Sequence, residues 1–143
     1  MTSLKGRERR QFKSILITGA SSGIGAELSR QYAEPGVRLV LTARRTAKLE
    51  VVRKECEAKG ATVEVCSVDV NDEAAMKTAI TKADDKQPLD LVIANAGLHP
   101  VTLLASVDHL LAETTTPVTS ANVMGVAHTI CPIVARRHQC RPT

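Results

Sequence analysis

An α/β fold, doubly wound around a parallel sheet of four strands in the spatial order 3-2-1-4, is what this sequence predicts. Three observations carry the prediction. Four short apolar runs alternate strictly with stretches whose apolar residues recur at helical spacing. The first run ends in a glycine-rich turn that opens directly into a helix. The joins are short, so successive strands are expected to be parallel and linked by right-handed helical crossovers that cover both faces of the sheet.

The elements follow in order. Ser14–Thr18 (SILIT) is a short apolar run closed by Gly19 and reads as a buried strand. From Gly23 to about Glu34, Ile24, Leu28 and Tyr32 stand four apart, as on one face of a helix, and Pro35-Gly36 ends it. Val37–Ala43 (VRLVLTA) is the second strand. Thr46 is expected to cap a helix whose apolar residues Leu49, Val52 and Cys56 share a face, with Gly60 closing it. Thr62–Val68 is the third strand. Asn71 is expected to cap the third helix, where Asp72 and Glu73 suit the positive end of the dipole and Met76, Ala79, Ile80 and Ala83 form a buried stripe. Pro88 precedes a fourth strand, Leu89–Ala94. Residues 98–116 carry turn formers and read as irregular. A last helix is expected from about Pro117 to Ala135, kinked at Pro132.

Composition narrows the function classes. A length of 143 residues suits one domain. Trp is absent and Phe12 and Tyr32 are the only aromatics, so the core must be aliphatic. The net charge is +4 and the pI about 9.0. The excess sits in residues 1–13 and in Arg136, Arg137 and Arg141, leaving the middle mildly acidic. A nucleic-acid surface wants a basic stripe on the fold with stacking aromatics, so no nucleic-acid partner is expected. Residues 1–13 read as a basic disordered arm, 14–136 as the domain and 137–143 as a tail. There is no apolar run of transmembrane or signal-peptide length and no CxxC pair, so no membrane partner and a cytoplasmic location are expected. His128, Cys131, His138 and Cys140 have ligand chemistry, but their HxxC and HxC spacing does not match structural zinc pairs, so no metal is expected.

The chemistry concentrates at strand ends. Thr18-Gly19-Ala20-Ser21-Ser22-Gly23-Ile24-Gly25 spaces its glycines as GxxxGxG between strand and helix. Gly19 lets the chain turn off the strand. Gly23 and Gly25, lacking Cβ atoms, let a pyrophosphate approach the backbone and the helix pack on the strand. The helix start offers free N–H groups and a positive dipole end, and Ser21 and Ser22 add hydroxyls. In dinucleotide folds an acid after the second strand accepts from the ribose 2′-OH of NAD. Here Thr42-Ala43-Arg44-Arg45 stands in that place, with no acid until Glu50. A guanidinium pairs with a phosphate, so the expected cofactor is NADP(H), with Arg44 as the main contact to the 2′-phosphate and Arg45 assisting. Asp69-Val70 and Asn95-Ala96-Gly97 follow strands three and four, at the edge where open α/β sheets bind ligands.

TGASSGIG resembles the cofactor loop of the short-chain dehydrogenases/reductases, and the resemblance runs from about Ser14 to Arg136. Asp69-Val70 is similar to the pair in which that family turns an aspartate toward the adenine amine. Asn95-Ala96-Gly97 resembles its NNAG, with Ala94 in place of the first Asn. Asn122, in Asn122-Val123-Met124-Gly125, resembles the asparagine of its proton relay and is the one catalytic residue the resemblance assigns. It implies a Rossmann-like domain and an oxidoreductase acting on carbonyl or alcohol substrates. It also implies a Ser and a Tyr-x-x-x-Lys, which this chain lacks: its one tyrosine, Tyr32, has Gly36 four residues on. On that reading the chain is a truncated family member with an incomplete sheet. The alternatives are a catalytically inactive NADP(H)-binding module or a product without function. Self-association through the last helix or the edge of strand four is also expected.

Overall fold

The computed structural model describes residues 12–97 and 119–139. Its elements are β1 (Ser14–Thr18), α1 (Gly23–Tyr32), β2 (Arg38–Ala43), α2 (Thr46–Glu57), β3 (Thr62–Ser67), α3 (Glu73–Lys86), β4 (Leu91–Ile93) and α4 (Gly125–Gln139), the last preceded by a π-helical turn, Ser120–Met124. The four strands lie in the order β3-β2-β1-β4. All three pairings are parallel, with β1 against β2 from Ser14↔Arg38 to Thr18↔Thr42. The fold expected from the alternation is therefore the fold observed. The segment read as irregular, 98–116, lies outside the described residues.

Side chains alternate across the sheet and so build two cores. Ile15, Ile17, Leu39 and Leu41 face one side, with Leu49, Val52 and Cys56 of α2 and Ala26 of α1. Leu16 and Val40 face the other, with Met76, Ile80 and Ala83 of α3. β1 and β2 are buried on both faces, as parallel central strands are. The cores are aliphatic, with Phe12 and Tyr32 only partly buried against one of them.

Several boundaries differ from expectation, each for a local reason. α1 stops at Tyr32 because Ala33 is already extended (φ −72°, ψ 103°) ahead of Pro35. Its buried side is Gly25, Ala26 and Ser29, whereas Ile24 is 73% exposed and Leu28 and Tyr32 only edge the core. Small residues thus set α1 close on the sheet and release Ile24 from the expected stripe. Asp72, not Asn71, caps α3: its Oδ1 accepts from the Ala75 amide at 2.9 Å. Arg45 occupies the cap position of α2 and Thr46 begins the helix proper. β4 is shorter than Leu89–Ala94, because the Leu89 amide is drawn to Asp84 and the Asn95 and Ala96 amides to the Thr18 hydroxyl.

The chain edges are tied down further than the sequence suggests. Lys13 donates its amide to Asp90 and gives its carbonyl to the Arg38 amide. α4 runs through Pro132 to Gln139 and packs along α3. Arg136 Nε and Arg137 Nη2 reach the two oxygens of buried Asp84 at 2.9 and 2.7 Å, and Arg136 also pairs with Asp85. Arg137, expected in a tail, is thus part of the packed helix. Burial pushes the Asp84 carboxyl up, but the Leu89 amide and both guanidinium groups outweigh it and hold the group below its ordinary range.

At the amino ends of the strands a second network closes the sheet. Arg38 is buried, donating from Nε to Glu64 at 2.9 Å and from Nη1 to Ser14 Oγ and the Ala83 and Gln87 carbonyls at 3.1–3.2 Å. Lys86 adds a second cation on Glu64 at 2.8 Å. The Arg38 hydrogen bond, against burial and with help from Lys86, lowers the Glu64 carboxyl to about 2.

Candidate functional site

The carboxyl ends of all four strands open into one cleft. Its lining includes Gly19, Ser21, Ser22 and Ile24 from the β1–α1 turn, Ala43, Arg44 and Arg45 after β2, Val68–Asn71 after β3, Asn95–Gly97 after β4, and Ala121 from the turn before α4. This is the edge where a parallel doubly wound sheet presents ligand sites. Eleven of the thirteen residues expected at a nucleotide site line it, and the other two act from beneath or beside.

Gly25 is one of those two. It is buried, and a Cβ there would lie 2.4 Å from the Gly19 carbonyl oxygen and 2.5 Å from Asn95 Nδ2. Its lack of a side chain brings α1 against the turn. Gly19 has φ +68°, and a Cβ there would lie 2.8 Å from Ala96 Cα. Both positions require glycine for shape. Gly23, the other residue outside the lining, has φ +56° with open space around it, so conformation alone asks for glycine there.

The start of α1 is electrostatically open. Ser22 holds the cap position, yet its side chain makes no capping hydrogen bond and no acid stands in the first turn. Instead Ser22 Oγ accepts from Arg45 Nη2 at 3.1 Å. The start of α1, with the positive end of its dipole, therefore borders the cleft at Ser22 and Ile24 without a cap from the Ser22 side chain. Arg44 leans the other way, 3.9 Å from Asp69 across the β2–β3 side, with both side chains well exposed. Asp69 Oδ1 also accepts from the Asn71 amide at 3.0 Å, shaping the loop after β3.

Asn95 knits the turn to the sheet. Its Nδ2 donates to the Thr18 carbonyl at 3.1 Å, and its own amide goes to Thr18 Oγ1. Asn122 does not line the cleft but lies beyond Gly97, where a Cβ would come 2.7 Å from its Oδ1. Sequence reasoning missed Ala43, Val68, Asn71 and Ala121. Val68 and Asn71 flank the expected pair Asp69-Val70 directly, and that adjacency was the one signal the sequence offered for them. Of the four zinc-type side chains, the His128 ring turns to the Val70 carbonyl and Cys131 is exposed, while Cys140 lies outside the described residues. Among the described residues no cluster of three ligands could hold a metal ion, and no helix is long and apolar enough to cross a membrane.

A glycine turn leading from the first strand of a 3-2-1-4 parallel sheet into an uncapped helix is the architecture of a Rossmann-like domain. The chain belongs to the short-chain dehydrogenase family, whose model matches residues 13–139. An uncharacterized oxidoreductase of Myxococcus xanthus is 36% identical over 124 residues, covering 86% of this chain and 48% of that protein. An alcohol dehydrogenase from the archaeon Thermococcus sibiricus, solved with 5-hydroxy-NADP, superposes with a TM-score of 0.75 at 30% identity, covering 86% of this chain and 50% of its own. A Mycobacterium paratuberculosis short-chain dehydrogenase bound to NAD shares the fold, with a TM-score of 0.76 at 21% identity over 87% of this chain and 50% of its own. The chain thus spans about half the length of these relatives.

Proposed function

We propose that this chain binds NADP(H) across the carboxyl ends of its strands, as the cofactor-holding part of an oxidoreductase acting on carbonyl or alcohol substrates. The observation that carries the reading is the convergence on one cleft of the uncapped α1 start, Arg44 and Arg45, with no acid directly after β2. The residues fit such a group: Gly19 and Gly25 let the turn, α1 and the end of β4 close on one another without Cβ atoms between them, and Ser21 and Ser22 add hydroxyls on the cleft lining. The pyrophosphate would lie against the turn and α1, the adenine against Asp69 and Val70, and the 2′-phosphate against Arg44 with Arg45 beside it. Asn95, Ala96 and Gly97 would border the nicotinamide half, where Asn122 stands behind Gly97. When bound, the cofactor supplies or accepts the hydride.

Cofactor choice is the sharpest test. NADPH is expected to bind roughly tenfold or more tightly than NADH, and Arg44→Ala to remove most of that preference, since one charged contact of this kind contributes on the order of 1.5–3 kcal/mol. Fluorescence titration of both cofactors checks it. Equal losses for NADPH and NADH would discard the assignment of Arg44.

A second reading, cofactor binding without turnover, is favoured by one observation. The single tyrosine, Tyr32, packs at the edge of the core and not in the cleft, so these 143 residues offer no tyrosine to protonate an alkoxide there. NADPH oxidation with a panel of ketones and aldehydes separates the two readings. We also place the protein in the cytoplasm and infer self-association through the outward apolar residues of the last helix, Val126 and Val134; the mass in solution tests the latter.

A further inference from the structure

The loop after β3 forms one wall of the cleft, and α4 with the turn before it fastens to that wall from behind at three points. Ser120 Oγ donates to Asn71 Oδ1 at 2.7 Å. Gly125 lies against Val70, where a Cβ would come 2.8 Å from Val70 Cγ2. His128 Nδ1 stands 2.9 Å from the Val70 carbonyl oxygen. A carbonyl only accepts, so Nδ1 carries the hydrogen. The His128 side chain is 11% exposed and sits on the far side of the wall, outside the cleft lining. Its other ring nitrogen lies 3.9 Å from the Glu73 carboxylate, too far for a hydrogen bond.

We propose that His128 is a positioning residue for the adenosine end of the cleft, holding the Val70 carbonyl and through it the Val68–Asn71 wall. The role rests on the nucleotide-binding reading above. Val70 is itself buried and lines the cleft, so a shift of its backbone moves the surface that a purine meets. Gly125 lets the helix come close enough for the ring to reach, and the Ser120–Asn71 bond fixes the far end of the same loop. The Nδ1 donor is the part that matters. Asparagine carries an N–H at the same branch point of the side chain, whereas glutamine places its N–H one atom further out.

The test uses the whole 143-residue chain and 2′,5′-ADP, which presents adenosine and the 2′-phosphate without the nicotinamide. Affinity is measured by calorimetry for the wild type and for His128→Leu, His128→Gln and His128→Asn, with a thermal melt of each. His128→Leu and His128→Gln are expected to bind 2′,5′-ADP roughly fivefold to tenfold more weakly, the scale of one hydrogen bond to a buried carbonyl. His128→Asn is expected to stay within about twofold of the wild type, since the donor is kept. Arg136→Ala serves as the comparison: it loosens the distal end of α4 at Asp84 and is expected to lower the melting temperature while leaving 2′,5′-ADP affinity unchanged. Folded His128→Gln with wild-type affinity, folded His128→Asn as weak as His128→Gln, or Arg136→Ala losing affinity by the same factor would each overturn the positioning role. Failure of the wild type to bind 2′,5′-ADP would instead discard the NADP reading, and the positioning role with it.

Discussion

The two ends of the sheet are treated in opposite ways. At the amino ends, Arg38 is sunk between strands and helices, and its charge is met by Glu64, a serine hydroxyl and two carbonyls, with Lys86 and Asp90 completing the seal. At the carboxyl ends the cations Arg44 and Arg45 are exposed, the Ser22 side chain does not cap the first helix, and glycines let the turn and that helix pack closely. The same charge type serves closure at one edge and availability at the other. The difference lies in what surrounds it: a buried guanidinium must find its partners within the fold, whereas an exposed one can leave a neighbour for a ligand. Stability should therefore respond to the amino end and ligand affinity to the carboxyl end.

Removing the seal should have the largest effect on stability. Arg38→Ala leaves the Ala83 and Gln87 carbonyls short of a donor and Glu64 with Lys86 as its one remaining cation among the described residues. A loss of about 3 kcal/mol is expected from such a buried centre. Urea denaturation measures it, and titration of the folded fraction with NADPH should give wild-type affinity. A variant with unchanged stability, or one that loses affinity while folded, would break the division between the two ends.

Gly25→Ala should strike the carboxyl end with a smaller global cost. One methyl at 2.4 Å from a backbone oxygen forces α1 away from the turn, at roughly 1–3 kcal/mol for overpacking. NADPH affinity should fall roughly tenfold or more, because the helix amides move with the helix. Tight NADPH binding by this variant would show that the α1–turn contact does not set the cradle.

The smallest effect expected is a pH dependence confined to the amino end. The Glu64 carboxyl is held at about 2 in the fold, against 4.5 for an ordinary glutamate. A lowered carboxyl contributes stability that is complete above the unfolded value and is lost as the pH falls toward the folded one. The urea midpoint should thus decline between about pH 4.5 and 2, and Glu64→Gln should make the decline shallower. Asp84, also held low, keeps some slope in that variant. An identical acid profile for Glu64→Gln and wild type would remove Glu64 from the seal.

The open end was far more legible in the sequence than the closed one. Gly19, Arg44, Asp69 and Asn95 each follow an apolar run directly, so strand order alone brings them to one edge. Arg38 is the one charged residue in VRLVLTA, and nothing in that run marks it for burial. Its burial depends on Glu64 in the next strand and on carbonyls more than 40 residues away, a coincidence that no periodicity encodes. Asn71 and Asp72 are adjacent and both good caps, so only geometry could choose Asp72 and leave Asn71 for the rim. Ile24 kept the helical period of Leu28 and Tyr32, but the small face of Gly25, Ala26 and Ser29 rotates it into solvent. Ala121 comes from a turn about fifty residues beyond the β3 loop, too far along the chain for spacing to announce it.

The Thr18 hydroxyl gives the mouth of the cleft a clock. It accepts the amides of Asn95 and Ala96 at 3.1 and 3.0 Å, where the β1–β4 ladder has already run out. Those two protons can trade with solvent deuterium only when the end of β4 lifts from Thr18. Their exchange times therefore record how often the two halves of the cleft part. A bound molecule that spans both sides would lengthen those times without touching either amide.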